Sequence, residues 1–233
     1  MSPEPLLAVK SIDVSYGRTQ VLRNVSLELG DGEVVCIIGR NGAGKTTLLR
    51  ALMGVLPVRA GKVRLLGRDV TNWKGHRRAQ MGLSWVPQGS SVFPGLSVDE
   101  HLGLASRVGD EGKTREEVME LFPVLSRRLS QDAQSLSGGE IKMLAIAQAL
   151  ISGPKVMLMD EPTEGVAPVI VAQIRSALAQ LVTACSIVLV EQNVDTALAV
   201  GRRAYVLERG AVVEKGDMHE LHDSGVIRKR LGL

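Results

Sequence analysis

Residues 39–46 carry the clearest indication of chemistry in this chain. They read G-R-N-G-A-G-K-T and fit the phosphate-binding pattern G-x-x-x-x-G-K-[ST] at every fixed position. Glycines let backbone N–H groups approach a polyphosphate closely, Lys45 supplies positive charge for the β- and γ-phosphates, and the Thr46 hydroxyl can ligate Mg²⁺. The pattern therefore predicts a nucleotide site.

Two adjacent carboxylates, Asp160 and Glu161, follow the apolar run 156–159. A buried strand over this run would deliver them to the carboxyl edge of a parallel sheet, where ligands of open α/β sheets bind. Asp160 could hold Mg²⁺ through water, and Glu161 could polarise an attacking water as general base. The alternative is a solvated acidic pair that caps the next segment.

A third motif, residues 136–140 with the sequence L-S-G-G-E, precedes a helical pattern. Ser137 is a candidate N-cap, and the glycines Gly138 and Gly139 leave backbone N–H groups accessible to an anion. A serine-capped helix start without any ligand explains the same residues equally well. This motif identifies a site only in the company of the other two.

The elements around the glycine loop are those that a phosphate site requires. Residues 34–38 form an uninterrupted apolar run, which predicts a parallel strand buried on both faces. Residues 46–53 predict a helix that Gly54 closes. The phosphates would then lie at a helix N-terminus, with its partial positive charge.

The rest of the chain alternates strand and helix patterns, which predicts an α/β fold with a doubly wound core. The first 30 residues alternate apolar and polar side chains and predict antiparallel strands. Residues 97–152 are mainly helical in pattern and predict an inserted helical subdomain. The other predicted strands are 63–66, 82–86, 156–159, 186–190 and a hairpin of 205–207 with 211–213, and the predicted helices are 98–105, 115–122, 139–151 and 170–181.

Composition limits the classes of function. The chain has 233 residues, and 28 basic against 25 acidic side chains give a formal charge of +3, so no overall field favours nucleic acid. Local clustering is stronger, and we interpret it as solvated surface rather than as a surface for an anionic partner. One basic cluster consists of Arg59, Lys62, Arg64, Arg68, Lys74, Arg77 and Arg78, and a short basic run consists of Arg228, Lys229 and Arg230.

Cysteine usage and hydropathy indicate a cytoplasmic protein. Cys36 and Cys185 lie in apolar runs, which predicts buried reduced thiols rather than a disulfide. We find no signal peptide and no run near the roughly 20 apolar residues that span a bilayer. Any role at a membrane would then depend on partner proteins.

Together the motifs resemble those of the ATP-binding subunits of ABC transporters. The glycine loop, residues 136–140 and the segment M-D-E-P at 159–162 occur in family order, with Gln88 between the first two. The resemblance covers nearly the whole chain. It implies a P-loop NTPase fold of the ABC ATPase type in one domain, 1–233. Residues 6–96 and 153–233 would form the core with an N-terminal antiparallel β subdomain, and 97–152 the helical signature subdomain.

The resemblance also implies the roles of individual residues. ATP would be held head-to-tail between the glycine loop of one subunit and the signature of another. Tyr16 matches the aromatic residue that stacks on adenine, although ordinary strand packing would also explain it. Gln88 matches the residue that contacts Mg²⁺ and the attacking water. The implied ATP-binding residues are Tyr16, Gly39, Arg40, Asn41, Gly42, Ala43, Gly44, Lys45, Thr46, Thr47, Ser137, Gly138 and Gly139, the implied Mg²⁺ ligands are Thr46, Gln88 and Asp160, and the implied catalytic residues are Glu161, Gln88, Gln192 and Lys45.

Two stretches depart from the general family pattern. Most members carry a histidine where this chain has Gln192, and glutamine can donate a hydrogen bond but cannot carry a positive charge at neutral pH. Hydrolysis could therefore be slower or differently gated. The loop 163–168 reads T-E-G-V-A-P instead of the commoner serine-alanine-leucine-aspartate form.

Residues 190–193, the loop 164–168 and the stretch 86–94 resemble those of one particular subfamily, the ATPases of importers for branched-chain and other hydrophobic amino acids. Close relatives of that subfamily import urea and short amides, and a glutamine at the position of Gln192 is an expected variant there. The resemblance implies a second ATPase subunit, identical or homologous, and permease subunits that hold the chain at the inner face of the cell membrane. A solute-binding protein is implied indirectly. Residues 90–94 would lie near the permease-docking groove, although Phe93 could instead be buried.

Other functions fit the motifs less well. A soluble ABC ATPase acting on DNA or ribosomes usually has two fused cassettes or a long coiled-coil insertion, and neither is visible. A GTPase or small-molecule kinase would leave the Ser137–Gly139 motif unexplained, and no N-K-x-D guanine motif is present. His219 and His222 have helical spacing but lack the H-E-x-x-H order of a zinc site, so we interpret them as part of a surface helix.

Overall fold

The structure is a computed structural model that describes residues 4–89, 92–106 and 113–232. Its strands are β1 Leu7–Tyr16, β2 Thr19–Leu29, β3 Val34–Ile38, β4 Val58–Leu65, β5 Arg68–Asp69, β6 Leu83–Val86, β7 Val156–Asp160, β8 Ser186–Glu191, β9 Arg203–Glu208 and β10 Ala211–Asp217. Its helices are α1 Lys45–Leu52, α2 Gly75–Ala79, α3 Val98–Ala105, α4 Arg115–Leu121, α5 Pro123–Ser126, α6 Gly138–Ile151, α7 Pro168–Leu181, α8 Val194–Val200, α9 Met218–Asp223 and α10 Val226–Leu231. No helix within the described ranges is long and apolar enough to cross a bilayer.

The first sheet is antiparallel, with strand order β2-β1-β4-β5. In β1 and β2, buried and exposed side chains largely alternate, because one face packs on the core and the other faces water. This confirms the antiparallel strands predicted for the first 30 residues. Strand β4 begins at Val58, whereas the sequence predicted a start at residue 63. The prediction missed the first half of the strand because exposed polar residues and Gly61 hide the apolar pattern there.

The second sheet brings the chemical motifs to one edge. Its order is β10-β9-β3-β8-β7-β6, and all neighbouring pairs are parallel except the hairpin of β9 and β10. Every residue of β3, β7 and β8 is buried, as expected for strands covered on both faces. The carboxyl ends of parallel strands share an edge, so the glycine loop, Asp160, Glu161, Gln192 and Gln88 all follow strands at that edge.

Two hydrophobic cores lie on the faces of the six-stranded sheet. One joins it to the antiparallel sheet and α1, and the other joins it to the helices α3, α4, α6 and α7. Cys36 and Cys185 are buried and free, which confirms the prediction of reduced thiols. Burial raises the pKa of the Cys36 thiol to about 12, so it is an unreactive core residue.

The predicted long helices are confirmed, and the short ones were missed. Helices α3, α4 and α6 lie within 97–152, and α7 begins at Pro168 because proline is favoured in the first turn. The sequence did not predict α2, α5, α8 and α10, which have four to seven residues each. His219 and His222 lie in α9, and no cluster of three metal-ligating side chains occurs in the described parts of the chain.

The prediction of a solvated basic cluster is wrong for Arg78. The other members of the cluster are exposed, whereas Arg78 is only 1% exposed. Its guanidinium donates to Ala51 O at 2.9 Å and to Leu52 O at 2.5 Å, and burial lowers its pKa to about 10. The last carbonyls of a helix lack donors within the helix. Arg78 supplies hydrogen bonds to two of these carbonyls at the C-terminal end of α1.

Replacing Arg78 by methionine should lower the free energy of unfolding by about 2–4 kcal/mol, because Ala51 O and Leu52 O would each lose the guanidinium as a donor, which leaves Ala51 O with the bond from Gly54 N at 3.1 Å. Urea unfolding of the full chain measures this. Arg77→Met is the matched control. Arg77 is exposed and lies 5.5 Å from the Trp73 ring, so its removal should cost no more than about 1 kcal/mol. Equal losses for the two variants would contradict the role of Arg78.

Candidate functional site

The glycine loop connects β3 to α1 and holds Lys45 at the first position of the helix. Gly42 and Gly44 have φ of 80° and 110°, in the region that favours glycine. Lys45 is 5% exposed, and its Nζ donates to Gly39 O at 2.8 Å and pairs with Glu161 Oε1 at 3.1 Å. The structure therefore brings the predicted lysine and the predicted base together.

The turn between β9 and β10 packs against the glycine loop and hydrogen-bonds to it. Gly210 N donates to Ala43 O at 2.9 Å, and Gly210 O accepts from Arg23 N at 2.8 Å. A Cβ on Gly39 would collide with Leu207 O, and a Cβ on Gly210 would collide with the backbone of β2. The sequence predicted the hairpin but gave no reason to connect it to the phosphate site, because the contact links residues far apart in the chain.

Asp160 has the character of a cation ligand. It ends β7, is 1% exposed, and neither of its carboxylate oxygens has a hydrogen-bond partner within the described residues. Burial raises the pKa of Asp160 above its ordinary value, against the opposing effects of the nearby Thr46 hydroxyl and of Lys45. Buried charges are normally paired or bound to metals, so a carboxylate beside a hydroxyl fits the hard oxygen ligands that Mg²⁺ prefers.

Replacing Asp160 by asparagine should stabilise the protein without bound nucleotide by about 1 kcal/mol, because it removes a buried charge whose desolvation outweighs the effects of Thr46 and Lys45. The same change should abolish the extra stabilisation that Mg²⁺ adds to bound ATP. Thermal unfolding without nucleotide measures the first effect, and the difference between ATP in EDTA and ATP in Mg²⁺ measures the second. If the variant kept a full response to Mg²⁺, Asp160 would not be a ligand.

Glu161 lies in a constrained turn directly after β7. Its φ is 49°, a conformation that costs energy for a residue with a side chain and that often marks functional positions. Gln88 Nε2 donates to Glu161 Oε2 at 3.2 Å and to Glu164 Oε2 at 2.6 Å. The carboxylate of Glu161 thus lies between the ammonium of Lys45 and the amide of Gln88. The alternative of a solvated acidic pair is wrong, since Asp160 and Glu161 are both buried.

Lys45, Gln88 and Glu161 face one cavity of about 310 Å³. The lining residues are Val21, Asn41, Gly42, Gly44, Lys45, Thr46, Thr47, Gln88, Glu161 and Glu164. Most of them come from the glycine loop and the start of α1, where backbone N–H groups favour an anion. Glu164 was noted in the sequence only as part of an unusual loop, and the structure adds it to the site.

Tyr16 ends β1 and is 41% exposed, so its ring is not a core residue of the first sheet. Its hydroxyl accepts a hydrogen bond from Arg50 Nη1 at 3.1 Å, and Arg50 lies on α1. An exposed aromatic ring thus lies beside the helix that follows the glycine loop. The exposed part of the ring is accessible to a ligand at this position.

The signature residues start α6 but do not line the same cavity. Ser137 caps the helix by accepting from Glu140 N, and Glu140 in turn accepts from Ser137 N, so the two form a capping box. Ser137 and Gly138 are exposed, whereas Gly139 packs so closely on Ile170 that a Cβ would lie 2.8 Å from that side chain. A single chain therefore does not unite its signature with its glycine loop.

Gln192 is exposed and does not line the cavity, whereas its neighbour Glu191 is 2% exposed. Glu191 Oε1 accepts from Thr163 Oγ1 at 2.7 Å and from Thr163 N at 3.1 Å, which ties β8 to the loop after Glu161. Burial raises the pKa of Glu191. The sequence indicated Gln192 and missed Glu191, because an acidic residue at the end of an apolar run looks like the start of a loop.

Phe93 is 60% exposed, so the alternative of a buried Phe93 is wrong. Its ring stacks on the imidazole of His101 with the centroids 5.9 Å apart. His101 is fully buried, and its Nε2 accepts from Phe93 N at 2.8 Å while Nδ1 contacts Ser97 O at 2.8 Å. These contacts fix the aromatic side chain on the surface next to α3. Ser90 and Ser91, which were expected near the same groove, lie outside the described residues.

Comparison with known proteins places these features in one family. Residues 22–164 match the family model described as ABC transporter. The chain is 39% identical over 224 residues to the high-affinity branched-chain amino acid transport ATP-binding protein BraG of Pseudomonas aeruginosa, covering 94% of this chain and 93% of that protein. It is 36% identical over 234 residues to the lipopolysaccharide export system ATP-binding protein LptB of Escherichia coli K12, covering 97% of each. A crystal structure of a nucleotide-free ATP-binding cassette from an ABC transporter superposes with a TM-score of 0.85 at 26% identity, covering 95% of each chain.

Proposed function

The chain belongs to the ABC transporter family as an ATP-binding subunit, an ATPase, and from this we propose that it drives a membrane importer for branched-chain or other hydrophobic amino acids. The observation that carries the choice of substrate is the similarity to BraG over 94% of the chain. The subfamily features at residues 164–168 and 190–193 agree with it. An importer of urea or short amides, as found among close relatives of that subfamily, is the alternative.

ATP binding would use the exposed ring of Tyr16 for the base and the glycine loop for the phosphates. Lys45 Nζ donates to Gly39 O and pairs with Glu161 in the structure. The β- and γ-phosphates offer this ammonium stronger partners, since charge-assisted bonds to phosphate exceed those to a neutral carbonyl. We infer that ATP releases Lys45 from Glu161 and so frees the base.

Hydrolysis would be in-line attack of water on the γ-phosphate. Glu161 would orient the water and accept its proton, because its carboxylate is buried and held between Lys45 and Gln88. Thr46, Gln88 and Asp160 would hold Mg²⁺, which neutralises the phosphate charge when bound. Gln192 would contribute a neutral hydrogen bond after rearrangement, since its side chain is exposed in the isolated chain.

The catalytic unit would be a head-to-tail pair of ATPase subunits. Ser137 and Gly138 are exposed, and they do not line the cavity of their own glycine loop. A second subunit, identical or homologous, would therefore present its signature to ATP bound here and close the site. Residues 97–152 would act as the signature subdomain, and residues 6–96 with 153–233 as the nucleotide-binding core.

Coupling to transport would use the surface that follows Gln88. Phe93 is a large exposed apolar side chain held in place by His101, and such a residue suits insertion between apolar permease side chains. Permease subunits would then hold the chain at the inner face of the membrane, and a solute-binding protein would deliver the substrate to them.

Purification of the tagged chain from gently solubilised native membranes tests this proposal. Mass spectrometry should find hydrophobic permeases and an ATPase partner, and the associated solute-binding protein should bind branched-chain amino acids more tightly than urea or short amides. Recovery with components that carry lipopolysaccharide, as the relationship to LptB would allow, or with ribosomal or DNA-repair proteins, would contradict the importer assignment.

A further inference from the structure

Lys142 contacts the backbone of the turn 161–164, which carries the proposed base Glu161. Lys142 itself belongs to none of the motifs found in the sequence. Its Nζ donates to Glu161 O at 3.0 Å and also to Glu164 O. Glu164 N also donates to Glu161 O at 3.2 Å. The turn 161–164 is therefore stabilised by one internal hydrogen bond and by two hydrogen bonds from the Lys142 ammonium. The side chains of the same two residues both accept hydrogen bonds from Gln88 Nε2.

These contacts fix a backbone that would otherwise be free to relax. Glu161 has a φ of 49°, a conformation that persists only where the surroundings enforce it. Lys142 is partly buried, and burial lowers its pKa while the carboxylates of Glu164, Glu191 and Glu161 oppose that effect. The three carboxylates favour the protonated form of Lys142, which can donate to both carbonyls.

The position of Lys142 connects two parts of the site that face different nucleotides. Lys142 lies on α6 one turn after Gly138, on the helix that Ser137 caps. In the head-to-tail pair, that signature end would contact the ATP bound by the partner. The turn that Lys142 clamps carries the base for the ATP bound by the same chain. A rigid helix therefore joins the contact with one nucleotide to the geometry at the other.

We propose that Lys142 is a positioning residue that holds Glu161 in its hydrolytic geometry and couples that geometry to the signature end of α6. The inference rests on the proposed function. Removal of Lys142 would take the ammonium donor away from Glu164 O and leave Glu161 O with the bond from Glu164 N, so the turn 161–164 would be free to relax. Because misplacement of a base by about 1 Å can cost on the order of a hundredfold in rate, turnover should fall while ATP binding, which uses other residues, persists.

The test compares Lys142→Met with Lys142→Arg in the full chain assembled with its permeases. We expect K142M to lower kcat by about tenfold or more, to leave the Kd for ATP within about twofold, and to bring the Hill coefficient for ATP towards one. K142R keeps the charge and the donors and should restore most of kcat and the cooperativity. Lys215→Met, at an exposed position on β10, is the matched control and should change none of these.

The outcomes separate three possibilities. If the unmodified complex did not hydrolyse ATP, the proposed function would fail. If it did, and K142M kept both kcat and cooperativity, only the role of Lys142 would fail. Joint loss of ATP affinity and turnover, or no rescue by K142R, would also overturn the role, since a general structural defect has that pattern. Should K142M not fold, K142Q is judged by the same criteria.

Discussion

Replacing Glu161 by glutamine should reduce ATP turnover by about a thousandfold or more while leaving the affinity for ATP nearly unchanged. The carboxylate is 5% exposed and lies between Lys45 at 3.1 Å and Gln88 at 3.2 Å, so it is already oriented towards the cavity. Glutamine has the same shape but cannot accept the proton of an attacking water. Steady-state phosphate release measures turnover, and equilibrium binding of labelled ATP measures affinity.

Glu164→Gln is the matched control for that variant. Glu164 lines the same cavity and accepts from Gln88 at 2.6 Å, yet we assign it no proton transfer. Its replacement should change turnover by no more than about tenfold, since a glutamine oxygen still accepts the bond from Gln88. Rapid hydrolysis by E161Q would show that Glu161 is not the base. If E164Q were inactive while E161Q hydrolysed ATP, Glu164 would be the base instead.

Replacing Lys45 by alanine should weaken ATP binding by about a hundredfold, because one charge that pairs with the β- and γ-phosphates disappears. It should also destabilise the nucleotide-free protein by about 2–4 kcal/mol, since Glu161 would keep a buried charge without its cation. Titration calorimetry with Mg²⁺-ATP and urea unfolding measure the two effects.

Lys10→Ala and the double variant K45A/E161Q are the controls for Lys45. Lys10 is exposed on β1, and its replacement should change neither quantity. In the double variant the buried charge is gone, so most of the lost stability should return while the affinity for ATP stays low. ATP affinity equal to that of the unmodified protein in K45A would contradict the assignment of the phosphate loop.

The sequence predicted the elements that deliver the site because their determinants are local. An apolar run, a glycine loop and a helix around Lys45 need only neighbouring residues to be identified. Parallel strands then bring Lys45, Asp160 and Glu161 to one edge of the sheet. The same logic explains why the bounds of α3, residues 98–105, could be predicted from its helical pattern, and the structure adds the cap by Ser97.

Features that depend on contacts between distant parts of the chain could not be predicted in this way. Arg78 sits in a basic cluster by sequence, but its guanidinium satisfies the end of α1. Lys142 looks like a polar position on an amphipathic helix, and only the fold places it against the turn after Glu161. Likewise, Gly210 looks like a hairpin glycine, although its N–H holds the glycine loop through Ala43.

The measurement that tests the account most directly is transport in proteoliposomes containing the chain with its co-purified permeases. With the solute-binding protein outside, and ATP and Mg²⁺ inside, we expect uptake of labelled leucine together with stimulated ATP hydrolysis. Vesicles made with E161Q should take up none above background. Uptake that continues with E161Q, or ATP hydrolysis that is unaffected by every branched-chain amino acid tested, would contradict the claim that this ATPase drives their import.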